Sequence, residues 1–325
     1  MTVLCAADQD PPAGLDTLAP RIELRYATAA TLPDAIEDAD GLFLWDFFSP
    51  AVREAWGRAT RLRWIHVAAA GIDTLLFPEL VDSDVVVTNA RGVFDRPIAE
   101  YVLGAILAVA KDTRRNYRLQ DERRWLHRET ARVAGSHALV IGTGAIGRAI
   151  ARLLRAVDVE VRGAGRTART GDPDFGTVVP TDRLVDHVGW ADHVVVVAPL
   201  TASTAGMIDA DVLAAMRPGS HLVNVGRGPL VDEDALIEAL SSGHLGAASL
   251  DVFAVEPLPA TSPLWELPNV AISAHMSGDV VGWTDQLAEQ FVDNATRWLD
   301  GRPLANVVDK RKGYVTDSGS DGEAR

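Results

Sequence analysis

Cysteine is almost absent from the sequence. Cys5 is the one cysteine among 325 residues. A disulfide needs two thiols, so a fold held together by internal disulfide bonds is excluded. A zinc site built on several cysteines is excluded for the same reason. We therefore expect a protein that folds around hydrophobic cores and has no metal site.

Positive charge is also scarce. The chain carries 31 lysines and arginines against 45 aspartates and glutamates, which gives a net charge of −14 at pH 7. A chain with this balance repels the phosphate backbone of DNA and RNA. We therefore expect no nucleic acid among its main partners, although a local basic pocket could still hold a small phosphate.

Long hydrophobic runs are missing as well. No apolar stretch reaches the ~18 residues that cross a bilayer, so we expect no membrane partner. The first ten residues, Met1–Asp10, contain no basic region and turn acidic at once. This start predicts that there is no signal peptide and that the protein is cytoplasmic.

A regular alternation of short apolar runs and helix-compatible stretches is present instead. Early in the chain, the runs Gly41–Trp45, Leu62–Val67 and Val85–Thr88 are typical of buried strands. At roughly 150 residues a domain, the length predicts about two domains. Strands that alternate with helices predict parallel sheets and an α/β fold. A second series of predicted strands comprises Ala138–Ile141, Val157–Ala164, Val194–Ala198, His221–Val225, Ala247–Val252 and Val270–Ser273.

Two longer helices are predicted from the same patterns. Asp95 and Pro97 suit a helix start, and no further proline interrupts the chain from Ile98 to about Arg124. The segment Gly278–Leu299 has apolar residues at spacings of three and four, which is typical of an amphipathic helix. The tail, residues 311–325, is rich in polar residues, and its end is expected to be mobile.

The sharpest local motif is the glycine-rich run Gly142–Gly147, which follows a predicted strand and opens a predicted helix. In a dinucleotide-binding turn, the first glycine permits a tight turn and the second lets the backbone approach a pyrophosphate. The third glycine lets the helix pack closely on the strand, and the helix start offers N–H groups to the phosphates. The residues predicted to bind the cofactor here are Gly142, Gly144, Ala145, Ile146 and Gly147.

The next strand predicts which dinucleotide is bound. An NAD-binding strand usually ends in an acid that accepts hydrogen bonds from the ribose. This strand ends in Gly163-Ala164-Gly165 and continues with Arg166, Thr167 and Arg169. Two guanidinium groups and a hydroxyl suit a 2′-phosphate. The sequence therefore favours NADP(H), with NAD(H) as the alternative and solvated loop charges as the non-functional interpretation.

Three segments of the C-terminal half carry candidate chemistry. Each follows a predicted parallel strand, and they contain Arg227, Glu256 and His275. Ligands in open α/β sheets bind beyond the carboxyl ends of the strands. We therefore expect these three side chains to meet beside the cofactor, although each could also be an ordinary structural residue.

Taken together, these motifs resemble the D-isomer-specific 2-hydroxyacid dehydrogenase family. The resemblance covers essentially the whole chain and also includes Ala69–Asp73, Pro97–Glu100 and Pro199–Thr201. Within the family, the sequence is most similar to glyoxylate/hydroxypyruvate reductases and general 2-ketoacid reductases. The resemblance implies two doubly wound parallel-sheet domains with a cleft between them. A flavodoxin-like substrate domain would comprise residues 1–96 plus 284–325, and a Rossmann dinucleotide-binding domain residues 97–283.

The resemblance also implies a role for each candidate side chain. Arg227 matches the arginine that anchors the substrate carboxylate and polarises the ketone, for which a planar guanidinium is well suited. His275 matches the general acid, and histidine titrates close to neutral pH. Glu256 matches the carboxylate that keeps this histidine protonated.

Further contacts follow from the same resemblance. Backbone N–H groups around Ala70 and Gly71 would bind the substrate carboxylate, together with Arg227 and His275. Asp251 would lie near the nicotinamide carboxamide. The cofactor would also be lined by Pro199, Val225, Gly226, Arg227 and His275.

The expected reaction is the NAD(P)H-dependent reduction of a small 2-keto acid to a D-2-hydroxy acid, and the family resemblance implies a homodimer. Two alternatives remain open at this point. The chain could be another enzyme of the same fold, such as a formate-type or phosphoglycerate-type dehydrogenase. It could also be a dinucleotide-sensing binding protein, like the dehydrogenase-related corepressors, which retain such residues without physiological turnover.

Overall fold

A computed structural model of the chain describes residues 1–316. The described chain divides into two compact units, one formed by Met1–Phe94 with residues 280–316 and the other by Asp95–Asp279. The end of the tail, which was expected to be mobile, lies outside the described residues. None of the helices within residues 1–316 combines the length and hydrophobicity that a bilayer crossing requires.

The first unit is built on a five-stranded sheet in the order β2-β1-β3-β4-β5, and every pair in it is parallel. This order is typical of flavodoxin-like folds. A two-stranded antiparallel ribbon from the end of the described chain belongs to the same unit. The sheet consists of β1 (Thr2–Leu4), β2 (Arg25–Ala27), β3 (Gly41–Leu44), β4 (Trp64–Val67) and β5 (Val86–Asn89), and the ribbon of β14 (Val308–Asp309) and β15 (Tyr314–Val315).

The second unit is built on an eight-stranded sheet in the order β13-β12-β11-β10-β6-β7-β9-β8. All pairs are parallel except β8 with β9. The chain order reverses between β6 and β10, which is where open α/β sheets bind ligands. The strands are β6 (His137–Ile141), β7 (Glu160–Gly165), β8 (Arg169–Asp172), β9 (Gly176–Pro180), β10 (His193–Val196), β11 (His221–Asn224), β12 (Ala247–Leu250) and β13 (Val270–Ile272).

The structure thus confirms the predicted parallel-sheet α/β fold. The strands are short and almost continuously apolar because helices and loops cover both faces of a parallel sheet. For example, every residue of β10 and β11 is buried. The helices are α1 (Leu32–Ala35), α2 (Ala51–Ala55), α3 (Pro78–Asp82), α4 (Asp95–Ala110), α5 (Thr113–Asp121), α6 (Ala145–Arg155), α7 (Ala210–Ala215), α8 (Glu233–Ser241) and α9 (Trp283–Leu299).

The single long helix expected from Ile98 to about Arg124 was wrong, because the segment forms the two helices α4 and α5. The break lies at Asp112, whose φ of 49° is left-handed. Aspartate tolerates this conformation better than most residues. Arg128 stabilises the break, since its Nε donates to Asp112 Oδ2 at 3.0 Å and its Nη2 to the Asp112 carbonyl oxygen at 3.1 Å.

The closing helix also begins later than predicted. It starts at Trp283 instead of Gly278, and Gly282 before it has a φ of 82°. Only glycine adopts this conformation without steric cost, so the helix cannot extend backwards through it. Phe291 of α9 stacks on Phe43 of β3 with ring centroids 4.0 Å apart, which packs the helix against the first sheet.

His66 in β4 is fully buried in this aromatic cluster. Its ring centroid lies 5.6 Å from those of Phe43 and Phe291, and its Nδ1 is 2.8 Å from Thr88 Oγ1. Burial lowers the pKa of His66 to about 3. The unfolded chain binds a proton near pH 6.5, so the neutral imidazole stabilises the fold above that pH. This contribution is lost progressively as the pH falls from about 6.5 towards 3.

We therefore predict that acidification from pH 7 to pH 5 removes about 2 kcal/mol of stability through His66 alone. His66→Asn, which offers an amide near the position of Nδ1, should lose correspondingly less stability over the same range. Urea unfolding at several pH values measures this. His127→Asn, at an exposed histidine, is the control and should keep the wild-type slope. Equal slopes for His66→Asn and wild type would contradict the prediction.

Candidate active site

The glycine-rich turn has the geometry that its sequence predicts. Gly142 has a φ of 118°, and a Cβ there would lie 2.7 Å from the carbonyl carbon of Val197. A Cβ on Gly147 would lie 1.9 Å from the Gly142 oxygen. At Gly144, by contrast, a Cβ would meet nothing within 4 Å. The first and third glycines are therefore required by close packing, whereas the second faces open space.

Helix α6 starts immediately behind this open space. Its first backbone hydrogen bond runs from Arg148 N to the Gly144 oxygen at 2.9 Å. The N–H groups of Ala145, Ile146 and Gly147 precede that bond and have no carbonyl partner inside the helix. Unsatisfied N–H groups at a helix start attract phosphate. The turn and the helix start therefore fit the pyrophosphate of a dinucleotide.

The neighbouring strand β7 ends close to the turn. A Cβ on Gly165 would lie 2.9 Å from Thr143 Oγ1, so glycine is needed for the two segments to approach. Arg166 and Thr167 follow and are exposed. Arg169 differs from them, since it begins β8 and its Nη2 lies 2.8 Å from Asp172 Oδ2. Asp172 was not identified from the sequence, because its burial becomes evident only from the strand pairing of β8.

The remaining expected cofactor residues line the same sheet edge. Pro199 follows β10, and its carbonyl oxygen accepts a hydrogen bond from Thr204 Oγ1 at 2.7 Å. Val225 follows the adjacent strand β11, and its N–H donates to the Val196 oxygen at 3.0 Å. A Cβ on Gly226 would lie 3.2 Å from the Ala198 oxygen. The segments after β10 and β11 therefore form a continuous backbone surface beside the glycine turn.

The side chain of Asn224 fixes the backbone around Arg227. Its Oδ1 accepts from Gly226 N and its Nδ2 donates to the Arg227 oxygen, both at 3.1 Å. The Arg227 guanidinium donates from Nη1 to the Gly226 oxygen at 2.8 Å. A Cβ on Gly228 would lie 1.8 Å from the carbonyl carbon of Phe253, which shows how tightly this loop packs against the segment after β12.

His275 and Glu256 are brought together at this edge. His275 Nδ1 lies 2.8 Å from Glu256 Oε2, and the Phe253 N–H donates to Glu256 Oε1 at 2.9 Å. Partial burial raises the pKa of Glu256, but the hydrogen bonds from His275 and Phe253 and the charge of Arg227 outweigh it and lower the pKa overall. Glu256 is therefore ionised beside the imidazole, and the charge of the Arg227 guanidinium contributes to its lowered pKa.

Asp251 fixes the backbone that carries His275. Its side-chain oxygens accept the N–H groups of Met276 and Ser277, each at 2.9 Å, and its carbonyl oxygen accepts the His275 N–H at 2.8 Å. His275 has a left-handed φ of 52°, which is unfavourable for a histidine. The buried carboxylate thus stabilises a strained backbone that aims the imidazole.

Two further polar residues of this edge were not identified from the sequence. The hydroxyl of Tyr101 in α4 lies 2.7 Å from Ser273 Oγ. The Ser273 hydroxyl in turn donates a hydrogen bond to Asp251 Oδ1. Asp279 has a raised pKa, because of burial first and the charge of Asp251 second. No local motif marks either residue, since Tyr101 lies 172 positions before the serine that it contacts.

Ala70 and Gly71 lie in the first unit, in the loop that follows β4. Asn89 Nδ2 donates to the Ala70 oxygen at 2.6 Å, and the Ala90 N–H donates to the Ala69 oxygen at 2.9 Å. Within residues 1–316, the N–H groups of Ala70 and Gly71 donate no backbone or side-chain hydrogen bond. This loop therefore presents two consecutive donors, as a carboxylate-binding loop needs.

In the described chain, no three histidine, cysteine or carboxylate side chains gather as metal ligands would.

Comparison with known proteins identifies the family to which the chain belongs. Residues 103–277 match the model of the NAD binding domain of the D-isomer specific 2-hydroxyacid dehydrogenases, which is more than half of the chain. The chain belongs to this family. It is therefore an oxidoreductase that binds a nicotinamide dinucleotide, and its family acts on small 2-hydroxy and 2-keto acids.

Three similar proteins illustrate the relationship. A glyoxylate reductase of Thermofilum pendens is 30% identical over 286 residues, covering 85% of this chain and 83% of that protein. A D-isomer specific 2-hydroxyacid dehydrogenase of Xanthobacter autotrophicus Py2, solved with NADPH and MES, is 33% identical with a TM-score of 0.82, covering 97% of this chain and 100% of that one. The NADPH-dependent glyoxylate/hydroxypyruvate reductase of Sinorhizobium meliloti, solved with NADP and sulfate, is 27% identical with a TM-score of 0.80, covering 96% and 99%.

The different environments of the turn glycines predict different costs of substitution. Gly147→Ala should destabilise the protein by about 2–3 kcal/mol, because the new Cβ would overlap the Gly142 oxygen. Gly144→Ala should stay within about 0.5 kcal/mol of wild type, because its φ of −76° suits alanine and the space is open. Urea unfolding without cofactor measures both. Equal losses for the two variants would show that the packing described here is wrong.

Proposed function

We propose that this protein reduces a small 2-keto acid to the corresponding D-2-hydroxy acid, and that it uses NADPH in preference to NADH. The observation that carries the proposal is the 2.8 Å contact between His275 Nδ1 and Glu256 Oε2, on the sheet edge that also presents Arg227. An acid, its carboxylate partner and a cationic anchor are the groups that ketone reduction requires beside a hydride donor.

His275 is the proposed general acid. The Glu256 carboxylate binds Nδ1, so Nε2 is the nitrogen that delivers the proton to the substrate oxygen. The Glu256 carboxylate, whose own pKa is lowered mainly by its hydrogen bond to His275, orients the imidazole, and reduction uses the protonated form of the ring. In the opposite direction, the neutral imidazole would accept the proton of the hydroxy acid.

Arg227 is the proposed substrate anchor. A guanidinium can bind a carboxylate through two parallel hydrogen bonds, and its charge stabilises negative charge that develops on the keto oxygen. The N–H groups of Ala70 and Gly71 would bind the same carboxylate. Their lack of hydrogen-bond partners within residues 1–316 supports this assignment.

When bound, the reduced nicotinamide supplies the hydride. The residues proposed to hold the pyrophosphate are Gly142, Gly144, Ala145, Ile146 and Gly147. Pro199, Val225, Gly226, Arg227 and His275 would line the nicotinamide half of the same edge. Asp251 is placed near the carboxamide in this proposal, and its carboxylate additionally orients the His275 segment through Met276 and Ser277.

NADPH is favoured by the residues that follow β7. No carboxylate stands at the end of this strand to accept the ribose hydroxyls, and Arg166 and Thr167 are exposed there, followed by Arg169. A 2′-phosphate would be bound by these cationic and hydroxyl groups. The two similar proteins solved with NADPH or NADP support the same preference.

The domain roles complete the proposal. We assign substrate binding to a domain of residues 1–96 plus 284–325 and dinucleotide binding to residues 97–283. Two compact units with boundaries at Phe94–Asp95 and Asp279–Val280 support this division. By similarity to the family, we also propose that the protein is a cytoplasmic homodimer.

Arg227→Ala should lower kcat/KM for glyoxylate or hydroxypyruvate reduction roughly 10²–10³-fold. This corresponds to a loss of about 3–4 kcal/mol of transition-state stabilisation, because the residue both anchors the substrate and stabilises charge in the transition state. Steady-state kinetics with NADPH measure this. Arg217→Ala is the matched control, since Arg217 pairs with Asp192 at the opposite end of β11. A kcat/KM within threefold of wild type for Arg227→Ala would remove Arg227 from the site.

Arg166→Ala should raise the Kd of NADPH about tenfold or more and leave the Kd of NADH within threefold. The reason is that a charge-assisted hydrogen bond of about 1.5–3 kcal/mol serves only the 2′-phosphate. Fluorescence titration with each dinucleotide measures both constants. Arg183→Ala, at an exposed arginine paired with Asp186, should change neither. Equal weakening of both dinucleotides by Arg166→Ala would count against 2′-phosphate recognition.

A further inference from the structure

A buried carboxylate lies directly beneath the turn that we assign to the 2′-phosphate. Asp172 ends the edge strand β8, three residues after Arg169, and its side chain is 2% exposed. Charged groups are rarely buried to this extent unless they are paired and hydrogen-bonded. The partners of Asp172 therefore indicate what the group does.

Two arginines share the Asp172 carboxylate. Arg148 binds it with both terminal nitrogens, Nη1 to Oδ1 at 3.0 Å and Nη2 to Oδ2 at 3.1 Å. Arg169 donates from Nε to Oδ2 at 2.9 Å. Burial raises the pKa of Asp172, but the hydrogen bonds from both arginines and from two backbone N–H groups hold it well below its ordinary value. The group is a permanent anion between two cations.

Arg169 connects the Asp172 carboxylate to the backbone of the turn at residues 166–169. Its Nη1 lies 3.4 Å from the carbonyl oxygen of Thr167, so the same guanidinium contacts both Asp172 and the backbone of the turn. Without the carboxylate, Arg169 would lose the anion that binds its Nε and Nη2. The position of the turn residues therefore depends on the anion beneath them.

Arg148 connects the carboxylate to the pyrophosphate turn. It lies in the first turn of α6, the helix that starts at Gly144, and its guanidinium also stacks over the Phe175 ring at 5.5 Å. The Asp172 carboxylate thus joins the helix proposed to bind the pyrophosphate to the turn proposed to bind the 2′-phosphate. Arg148 Nη1 also donates to Asp174 Oδ2 at 2.8 Å, but of these two carboxylates only Asp172 also binds Arg169 within the described residues.

Arg152 provides an internal comparison. It lies one helical turn after Arg148 and pairs with Asp174 at 3.2 Å, on the same hairpin. Its contacts do not include Asp172, although its charge and its helix are those of Arg148. Arg152 shares Asp174 with Arg148, so a substitution at Arg152 alters the neighbouring ion pair while leaving Asp172 and its two arginines unchanged.

We propose that Asp172 is a positioning residue that sets the preference for NADPH, by holding Arg148 and Arg169 so that the 166–169 turn is preformed for the 2′-phosphate. The proposal rests on the proposed function, because it presumes that this turn binds that phosphate. NADH has no 2′-phosphate and therefore lacks the group that this turn is proposed to bind. Loss of Asp172 should accordingly weaken NADPH binding much more than NADH binding.

The test measures the Kd of NADPH and of NADH for wild type, Asp172→Asn, Arg148→Lys and Arg152→Lys. Asp172→Asn keeps the shape but removes the charge, and Arg148→Lys keeps the charge but cannot bind two oxygens in parallel. Both should weaken NADPH binding at least tenfold and NADH binding less than threefold. Arg152→Lys should change neither by more than threefold. Arg148→Lys decides the matter if thermal unfolding shows that Asp172→Asn does not fold.

A second readout needs no cofactor. Backbone hydrogen exchange of residues 166–170 should be faster in Asp172→Asn and Arg148→Lys than in wild type, and unchanged in Arg152→Lys. Unchanged exchange in the first two variants would overturn the positioning role.

The titrations also separate this inference from the proposed function. Unchanged or tighter NADPH binding in Asp172→Asn, with the preference still lost in Arg166→Ala, would overturn the inference and leave the 2′-phosphate assignment standing. Tighter binding would mean that the carboxylate only screens the arginines. If wild type bound NADPH and NADH with equal Kd values, the proposed preference for NADPH would be wrong, and so would the proposed role of Asp172.

Discussion

The pairing of His275 with Glu256 depends on how closely the loops at the carboxyl edge of the second sheet approach one another. Strands β11, β12 and β13 are adjacent, so the segments that follow them meet at one edge. The contact between Gly228 and the Phe253 backbone leaves no room for a side chain. This packing brings the Arg227 loop against the segment that carries Glu256, and the carboxylate then receives both an imidazole and the field of a guanidinium.

Buried carboxylates recur as the supports of this edge. Asp251 orients the strained His275 segment, and Asp172 lies between Arg148 and Arg169 beneath the turn after β7. In both places an anion accepts hydrogen bonds from several donors and so fixes the backbone of a loop. The chain as a whole is strongly acidic, yet it collects arginines where we propose that a phosphate binds. The charge of this turn is therefore opposite in sign to the net charge of the chain.

The sequence predicts the parts of this arrangement that depend on local pattern. Buried β-branched runs reveal most strands of the second sheet, and Gly142–Gly147 reveals the tight turn between β6 and α6. Strands as short as Thr2–Leu4 carry too few residues to show a pattern. The break at Asp112 depends on Arg128, sixteen residues away, and the roles of Asp172 and Tyr101 depend on strand pairing and on contacts between distant segments. Such residues become visible only when the chain is folded.

The most direct test is the effect of Glu256→Gln on kcat/KM for glyoxylate reduction with NADPH. The variant keeps an oxygen that can accept the Phe253 N–H, but it removes the carboxylate from His275 Nδ1. If the pair forms the proton donor that we propose, kcat/KM should fall by about 10²-fold or more, because general acid catalysis contributes about 10²–10⁴-fold. A kcat/KM within threefold of wild type would contradict the proposed partnership of His275 and Glu256.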